Sequence, residues 1–223
     1  SSGFFVFGGA NQEVDLPAAA TLDATVSYGS LSRDAVTLRW SQQEGPAPAT
    51  FENRDNEDTV VSAAVAGRYT FVLEATSVDG ASEAGVVSVI FRDSYGAWAE
   101  RLFGDAGQLA AQSEADPDAD GLSNLAEFGL GLDPGVWDRG ALESPFLTPT
   151  GELALVYFRP YLSAATRVVP EVSSDLLFWE AGPESVSESV IWTDAEGEWV
   201  QAEDLYPYDG VTPRFIRLRV EAN

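Results

Sequence analysis

Over residues 1 to about 92, apolar and polar positions alternate with a period of two. Val36, Leu38 and Trp40 fall on one side of the run VTLRW, and Thr37 and Arg39 fall on the other. In GRYTFVLEA the matching inward set is Tyr69, Phe71, Leu73 and Ala75. Successive side chains of a strand point to opposite faces, so this pattern predicts half-buried strands. VVSVIF, residues 86–91, is a third run rich in β-branched side chains, and the turn clusters EGPAP and VDGAS separate the runs.

From Ser94 the period lengthens to that of a helix. Tyr95, Trp98 and Leu102 recur about one helical turn apart in SYGAWAERLFG, with Ser94 as N-cap and Gly104 as stop. In NLAEFGLGL the stripe is Leu125, Phe128 and Leu132, ended by Pro134. The strand pattern returns from about Val136, with candidate strands at 152–159, 166–174, 188–194, 198–204 and 213–221. In the last, Ile216, Leu218 and Val220 alternate with Arg217 and Arg219. Pro170 lacks an N–H for a ladder, so its run is expected at a sheet edge or a bulge. The pattern therefore predicts a mainly β protein of two β-sandwich domains, residues 1–92 and 136–223. A short helical, EF-hand-like calcium-binding connector, residues 93–135, joins them.

The connector holds DPDADGLSNLAE, residues 116–127. Carboxylates stand at its first, third and fifth places, glycine at its sixth and glutamate at its twelfth, which is the spacing of an EF-hand calcium loop. Calcium takes six to eight hard oxygen ligands. Asp116, Asp118 and Asp120 are the expected carboxylates, Leu122 contributes its carbonyl, and Glu127 closes the site in bidentate fashion. Asn124 acts directly or through water, Gly121 makes the sharp turn, and Asp133 is a further candidate oxygen. Magnesium, which demands tighter octahedral geometry, fits less well. The loop stands alone, and Ser123 occupies the place where a paired EF-hand carries an aliphatic residue; both features argue against a calcium sensor.

Composition narrows the chemistry. The 223 residues hold 36 Asp and Glu against 12 basic residues, all arginine, for a formal net charge of −24. Such a surface repels nucleic acid and anionic lipid and favours cations. There is no cysteine and no histidine, which removes disulfides, thiol chemistry and the usual general base. No apolar run reaches the length of a membrane-spanning helix, so membrane insertion is not expected. The opening SSGFFVFGGA lacks a basic n-region and a long apolar core, so any export signal is expected upstream or already removed.

Three motifs carry a resemblance to known families. GGANQEVDLPAAATLDAT, the Trp40 strand followed by SQQEGP, and AGRYTFVLEATSVDG together resemble a PKD-type immunoglobulin-like domain over residues 8 to 92. That resemblance implies a sandwich of seven or so strands with Trp40 in the core and Tyr69 at a corner, acting as an extracellular spacer or adhesion module without catalytic residues. DPDADGLSNLAEFGLGLDP is similar to bacterial thrombospondin type-3-like repeats. The block AWAERLF to GLDP, with EVSSDLLFW and RFIRLRV, resembles the linker and C-terminal β domain of secreted planctomycete and verrucomicrobial proteins, which implies secretion.

The sequence thus points to a non-catalytic, secreted or cell-surface region whose calcium ion fixes the joint between two sandwiches. The alternative is a carbohydrate-binding accessory module with polysaccharide or cell-surface partners. For that reading Tyr206 and Tyr208, in LYPYDG, are the expected ligand contacts, whereas Trp179 and Trp192 are expected in the sandwich core. An enzyme using carboxylates alone is the remaining class, and no acid pair is singled out for it.

Overall fold

The computed structural model describes residues 4–137, 144–162 and 164–222. The onset of the second β region, which the sequence puts at Val136, runs into residues outside that set. The chain divides into two compact units, Ser1–Asp93 and Ser94–Asn223. Both are dominated by strands, and the described residues hold two α-helices.

The first unit contains β1 (Phe4–Phe7), β2 (Gln12–Asp15), β3 (Ala20–Leu22), β4 (Thr25–Tyr28), β5 (Val36–Glu44), β6 (Thr50–Phe51), β7 (Thr59–Ser62), β8 (Gly67–Ser77) and β9 (Ser82–Arg92). One sheet runs β2-β9-β8-β5, a second runs β3-β7-β6, and β1 pairs with β4. β2 lies parallel to β9, and the other ladders are antiparallel. The alternation read from the sequence is what closes this core. Val36, Leu38 and Trp40 of β5, Tyr69, Phe71, Leu73 and Ala75 of β8, and Val87, Val89 and Phe91 of β9 are all buried. Each large apolar side chain so buried is worth about 1.5–3 kcal/mol.

Polar atoms in this core are satisfied. The Trp40 indole donates to the carbonyl of Glu57 at 3.1 Å. Tyr69 packs edge-on against Phe91, and its hydroxyl donates to the carbonyl of Val65, four residues upstream, at 2.9 Å. A tyrosine at the start of a strand bonded back to upstream backbone is the corner that pins a Greek-key crossing.

The second unit opens with α1 (Tyr95–Phe103), a 3₁₀ turn at Leu109–Ala111, and α2 (Asn124–Leu130). Ser94 caps α1 by accepting from the Ala97 N–H, and Gly104, at φ 75°, ends it. Trp98 is buried, but Leu102 is exposed and Phe103 takes its place against Trp98, edge-on at 6.1 Å. Likewise α2 stops earlier than Pro134 suggests: Gly131 adopts φ 70° as its C-cap, and a glycine in that left-handed position ends a helix before a proline is needed.

The strands of this unit are β10 (Phe146–Leu147), β11 (Leu153–Pro160), β12 (Thr166–Ser173), β13 (Glu180–Ala181), β14 (Val186–Thr193), β15 (Gly197–Asp204) and β16 (Phe215–Ala222). They form two sheets, β10-β11-β15-β14 and β13-β12-β16, with antiparallel pairing throughout. Pro170 is paired with Leu218 on one side, and β13 reaches only Glu171 and Val172 on the other. Its missing N–H therefore costs no ladder bond.

α2 joins the helical segment to these sheets. Phe128 enters a cluster with Trp98, Ala99 and Ala111, and Leu130 enters the sheet core with Leu155, Tyr157, Val168, Val172, Val186, Val200 and Ala202. Gly129 sits so close to β16 that a Cβ there would lie 2.4 Å from Val220 Cγ1.

Trp179 and Trp192, expected in the core, lie outside it. Trp192 is 65% exposed on the edge strand β14. Trp179 is partly exposed in the turn before β13, its ring covered by the Arg217 guanidinium at 3.9 Å and its indole donating to the carbonyl of Leu176. β15 turns Val200 and Ala202 into the core, so Trp199 and its register partner Trp192 fall on the opposite face of the sheet.

Candidate metal centre

The segment 116–122 wraps its own carboxylates inward through short local hydrogen bonds. The Asp120 N–H is shared between Asp116 Oδ1 at 3.2 Å and Asp118 Oδ1 at 3.1 Å. Gly121 donates to Asp116 Oδ2 at 3.0 Å, and Leu122 donates to Asp120 Oδ1 at 2.7 Å. Gly121 needs its missing Cβ to hold φ 96°, and Ala119 is driven to φ 61°, a conformation that side-chain-bearing residues rarely adopt. The result brings one oxygen each of Asp116, Asp118 and Asp120 within 4.8 Å of one another.

Three carboxylates at that range repel unless a cation lies among them. Asp118 feels this directly: burial, and then the charges of Asp120 and Asp116, raise its carboxyl above the ordinary range despite the Asp120 N–H. Its Oδ2 is a buried atom with no hydrogen-bond donor. A buried acceptor left bare costs about 1–3 kcal/mol, so these oxygens fit a hard cation that would take them as ligands.

The two downstream residues are buried where the loop becomes α2. Glu127 and Asn124 are both fully buried. Asn124 donates its amide hydrogens to the carbonyls of Ala110 at 2.7 Å and Gln112 at 2.8 Å, while its Oδ1 has no donor. With both hydrogens committed, that oxygen can only accept. Glu127 is not among the three clustered carboxylates. A buried carboxylate on the first turn of a helix is tolerated where a positive charge or a metal offsets its lost hydration.

The other candidates have local tasks. Ser123 is the N-cap of α2, accepting from the Ala126 N–H, which explains a hydroxyl residue at that place. Asp133 Oδ1 accepts from the Gly135 N–H at 2.9 Å and shapes the next turn. No sequence signal marks the partner segment, residues 110–115. It holds the start of α2 through main-chain carbonyls, with Asn124 N–H donating to Ala115 and Leu125 N–H to Ser113. Backbone acceptors leave no residue signature.

Tyr206 and Tyr208 are both substantially exposed. Their loop is fixed at its root by Asp204, fully buried, which receives two hydrogen bonds from Arg214 at 2.5 and 2.7 Å. The same guanidinium lies 5.4 Å from the Tyr206 ring centre. A second aromatic group spans strands of one sheet. Register pairs Trp192 with Trp199 and Trp199 with Phe158, so the three share a face across β14, β15 and β11.

These features define a two-unit β protein with an acidic loop suited to a hard cation. Residues 8–91 match the family model described as K319L-like, PKD domain. The chain is similar to the solution structure of the PKD domain from KIAA 1837 protein, at 24% identity over 42% of this chain and 90% of that one, with a TM-score of 0.35. It is also similar to the PKD domain (329-428) from human KIAA0319, at 22% identity over 42% and 89%, with a TM-score of 0.36. A 2,6-sialyltransferase from Vibrionaceae Photobacterium sp. JT-ISH-224 is 17% identical over 40% of this chain and 19% of that one, with a TM-score of 0.31. No curated protein matches.

Proposed function

We propose that the chain is a non-catalytic extracellular region, a spacer or adhesion part of a secreted or cell-surface protein, and that calcium braces its helical segment. The PKD match over residues 8–91 supports the extracellular, structural part of this reading. The observation that carries the calcium part is the convergence of Asp116, Asp118 and Asp120, with Asp118 Oδ2 a buried acceptor that has no donor. Loop oxygens and the Glu127 carboxylate would hold the ion, in the manner of a thrombospondin type-3-like repeat. Because α2 carries Phe128 into one cluster and Leu130 into the sheet core, an ion ordering its first turn would brace both.

Calorimetric titration of the chelator-stripped chain with calcium tests this. One ion per chain is expected, with weaker binding of magnesium. No heat and no calcium retained after dialysis would remove the proposal.

Carbohydrate binding is a second reading, favoured by the exposed Tyr206 and Tyr208 and by the paired Trp192, Trp199 and Phe158. Flat aromatic faces are what sugar rings stack on. It predicts retention on an insoluble polysaccharide that is lost in either Trp192→Ala or the Tyr206→Ala, Tyr208→Ala pair. Passage of the wild-type chain through a panel of plant and marine polysaccharides without delay would end it.

A further inference from the structure

The second unit contains a cavity of about 590 Å³ with an unusual lining. One wall is four successive residues of β11, Leu155 to Phe158, and another is three successive residues of β16, Ile216 to Leu218. Side chains alternate along a strand, so a space lined by successive residues borders the strand's edge rather than a face. Pairing agrees. β11 bonds to β15 along 154–160, but its other neighbour, β10, covers only Leu153 and Ala154. β16 bonds to β12 along 215–222 and has no second partner among the described residues. The open part of the β11 edge therefore borders an apolar slot whose far wall is β16, and an exposed edge of this kind is a template for an added strand.

The rest of the lining says what would suit the slot. Leu130, Leu132 and Trp199 supply apolar surface, and Asp194 and Glu196, in the turn between β14 and β15, supply negative charge. The Arg217 side chain, also at the slot, is held by Glu171 at 2.7 Å and lies over Trp179, so it does not cancel that charge. At about 3.3 Å per residue, four or five extended residues would run along the β11 wall. We propose that this slot takes an extended peptide segment with alternating apolar and basic side chains, added as a strand to the open edge of β11. Its main chain would bond to that edge, its apolar side chains would fill the cavity, and a basic side chain would meet Asp194 and Glu196.

The test uses the whole chain and blocked hexapeptides. One alternates valine with lysine, a second replaces each lysine by glutamate, and a third is the lysine peptide with alternate amides N-methylated. The lysine peptide is expected to slow hydrogen exchange in β11 while leaving the first unit unchanged. N-methylation or the glutamate exchange should weaken binding at least about tenfold, and Glu196→Lys should reverse the preference between lysine and glutamate peptides. Equal binding of the N-methylated peptide would overturn the proposal, as would failure of the lysine peptide to protect the β11 edge. It would also be overturned if the same amides were protected only as a self-associated chain formed, or by a neutral oligosaccharide instead of peptide.

Discussion

At the scale of single residues, Glu127 and Gly129 decide how α2 works, and each faces a different side. The two have opposite expected signatures. Glu127→Gln keeps the shape of the side chain but removes one charge from a fully buried place. With calcium, affinity should fall at least about tenfold; in chelator the variant should melt no lower than the wild type, because a buried charge carries a desolvation penalty that the amide lacks. Calorimetric titration and thermal melts with and without chelator read both. Gly129→Ala instead drives a methyl group into Val220, and overpacking of this kind costs about 1–3 kcal/mol. A lowered urea midpoint with unchanged calcium affinity is the expected result. Of these two residues, only Glu127 was legible in the sequence. Its place in a spaced motif announces it, while Gly129 owes its role to β16, some ninety positions away.

Short strands such as β3, β6 and β13 hold too few residues to show the alternating pattern, whereas the long strands β5, β8 and β9 were legible from it because each buries one face. Trp40, Tyr69 and Phe91 were legible for that reason. Where the reading failed, the cause was competition for space or for turn geometry. Leu102 lost its place to Phe103, and Gly131 ended α2 ahead of Pro134. Trp192, the register partner of Trp199, fell on the face of edge strand β14 turned away from the core.

Between elements, arginine pairs tie β16 and its approach to the neighbouring strands. Glu171, buried on β12, bonds to Arg217 and Arg219 of β16. Burial alone would raise its carboxyl, but the Arg219 and Arg217 bonds and charges outweigh that and hold it below the ordinary carboxylate range. A depressed folded value means the stabilisation is present above the unfolded value near 4.5 and is lost as pH falls through the folded one. The second unit should therefore lose urea resistance on acidification below that value, and Glu171→Gln should flatten the dependence. Asp204 and Arg214 pin the loop that carries Tyr206 and Tyr208. Asp204→Ala leaves the arginine without its partner at a buried site, a change that typically costs about 3–5 kcal/mol. It should also speed exchange in residues 205–213 more than in β8.

For the whole molecule, the net charge of −24 sets the background. Self-repulsion at this level weakens with ionic strength, so added sodium chloride should raise both melting transitions from their low-salt values. Calcium acts differently: its effect should persist at fixed ionic strength and localise to one unit. No helix among the described residues is long and apolar enough to cross a membrane. On the proposed reading, an N-terminal sandwich and a second unit whose helical segment calcium would brace suit a part that holds its shape in extracellular calcium. At a calcium concentration one hundred times the dissociation constant, the brace would add about 2.7 kcal/mol.

The most direct test is hydrogen exchange followed by mass spectrometry at constant ionic strength, in millimolar calcium and again in chelator. The account predicts that calcium slows exchange across residues 109–131 and in β11 and β16, where α2 packs, and leaves β5, β8 and β9 unchanged. Identical exchange through residues 109–131 in the two conditions would contradict it.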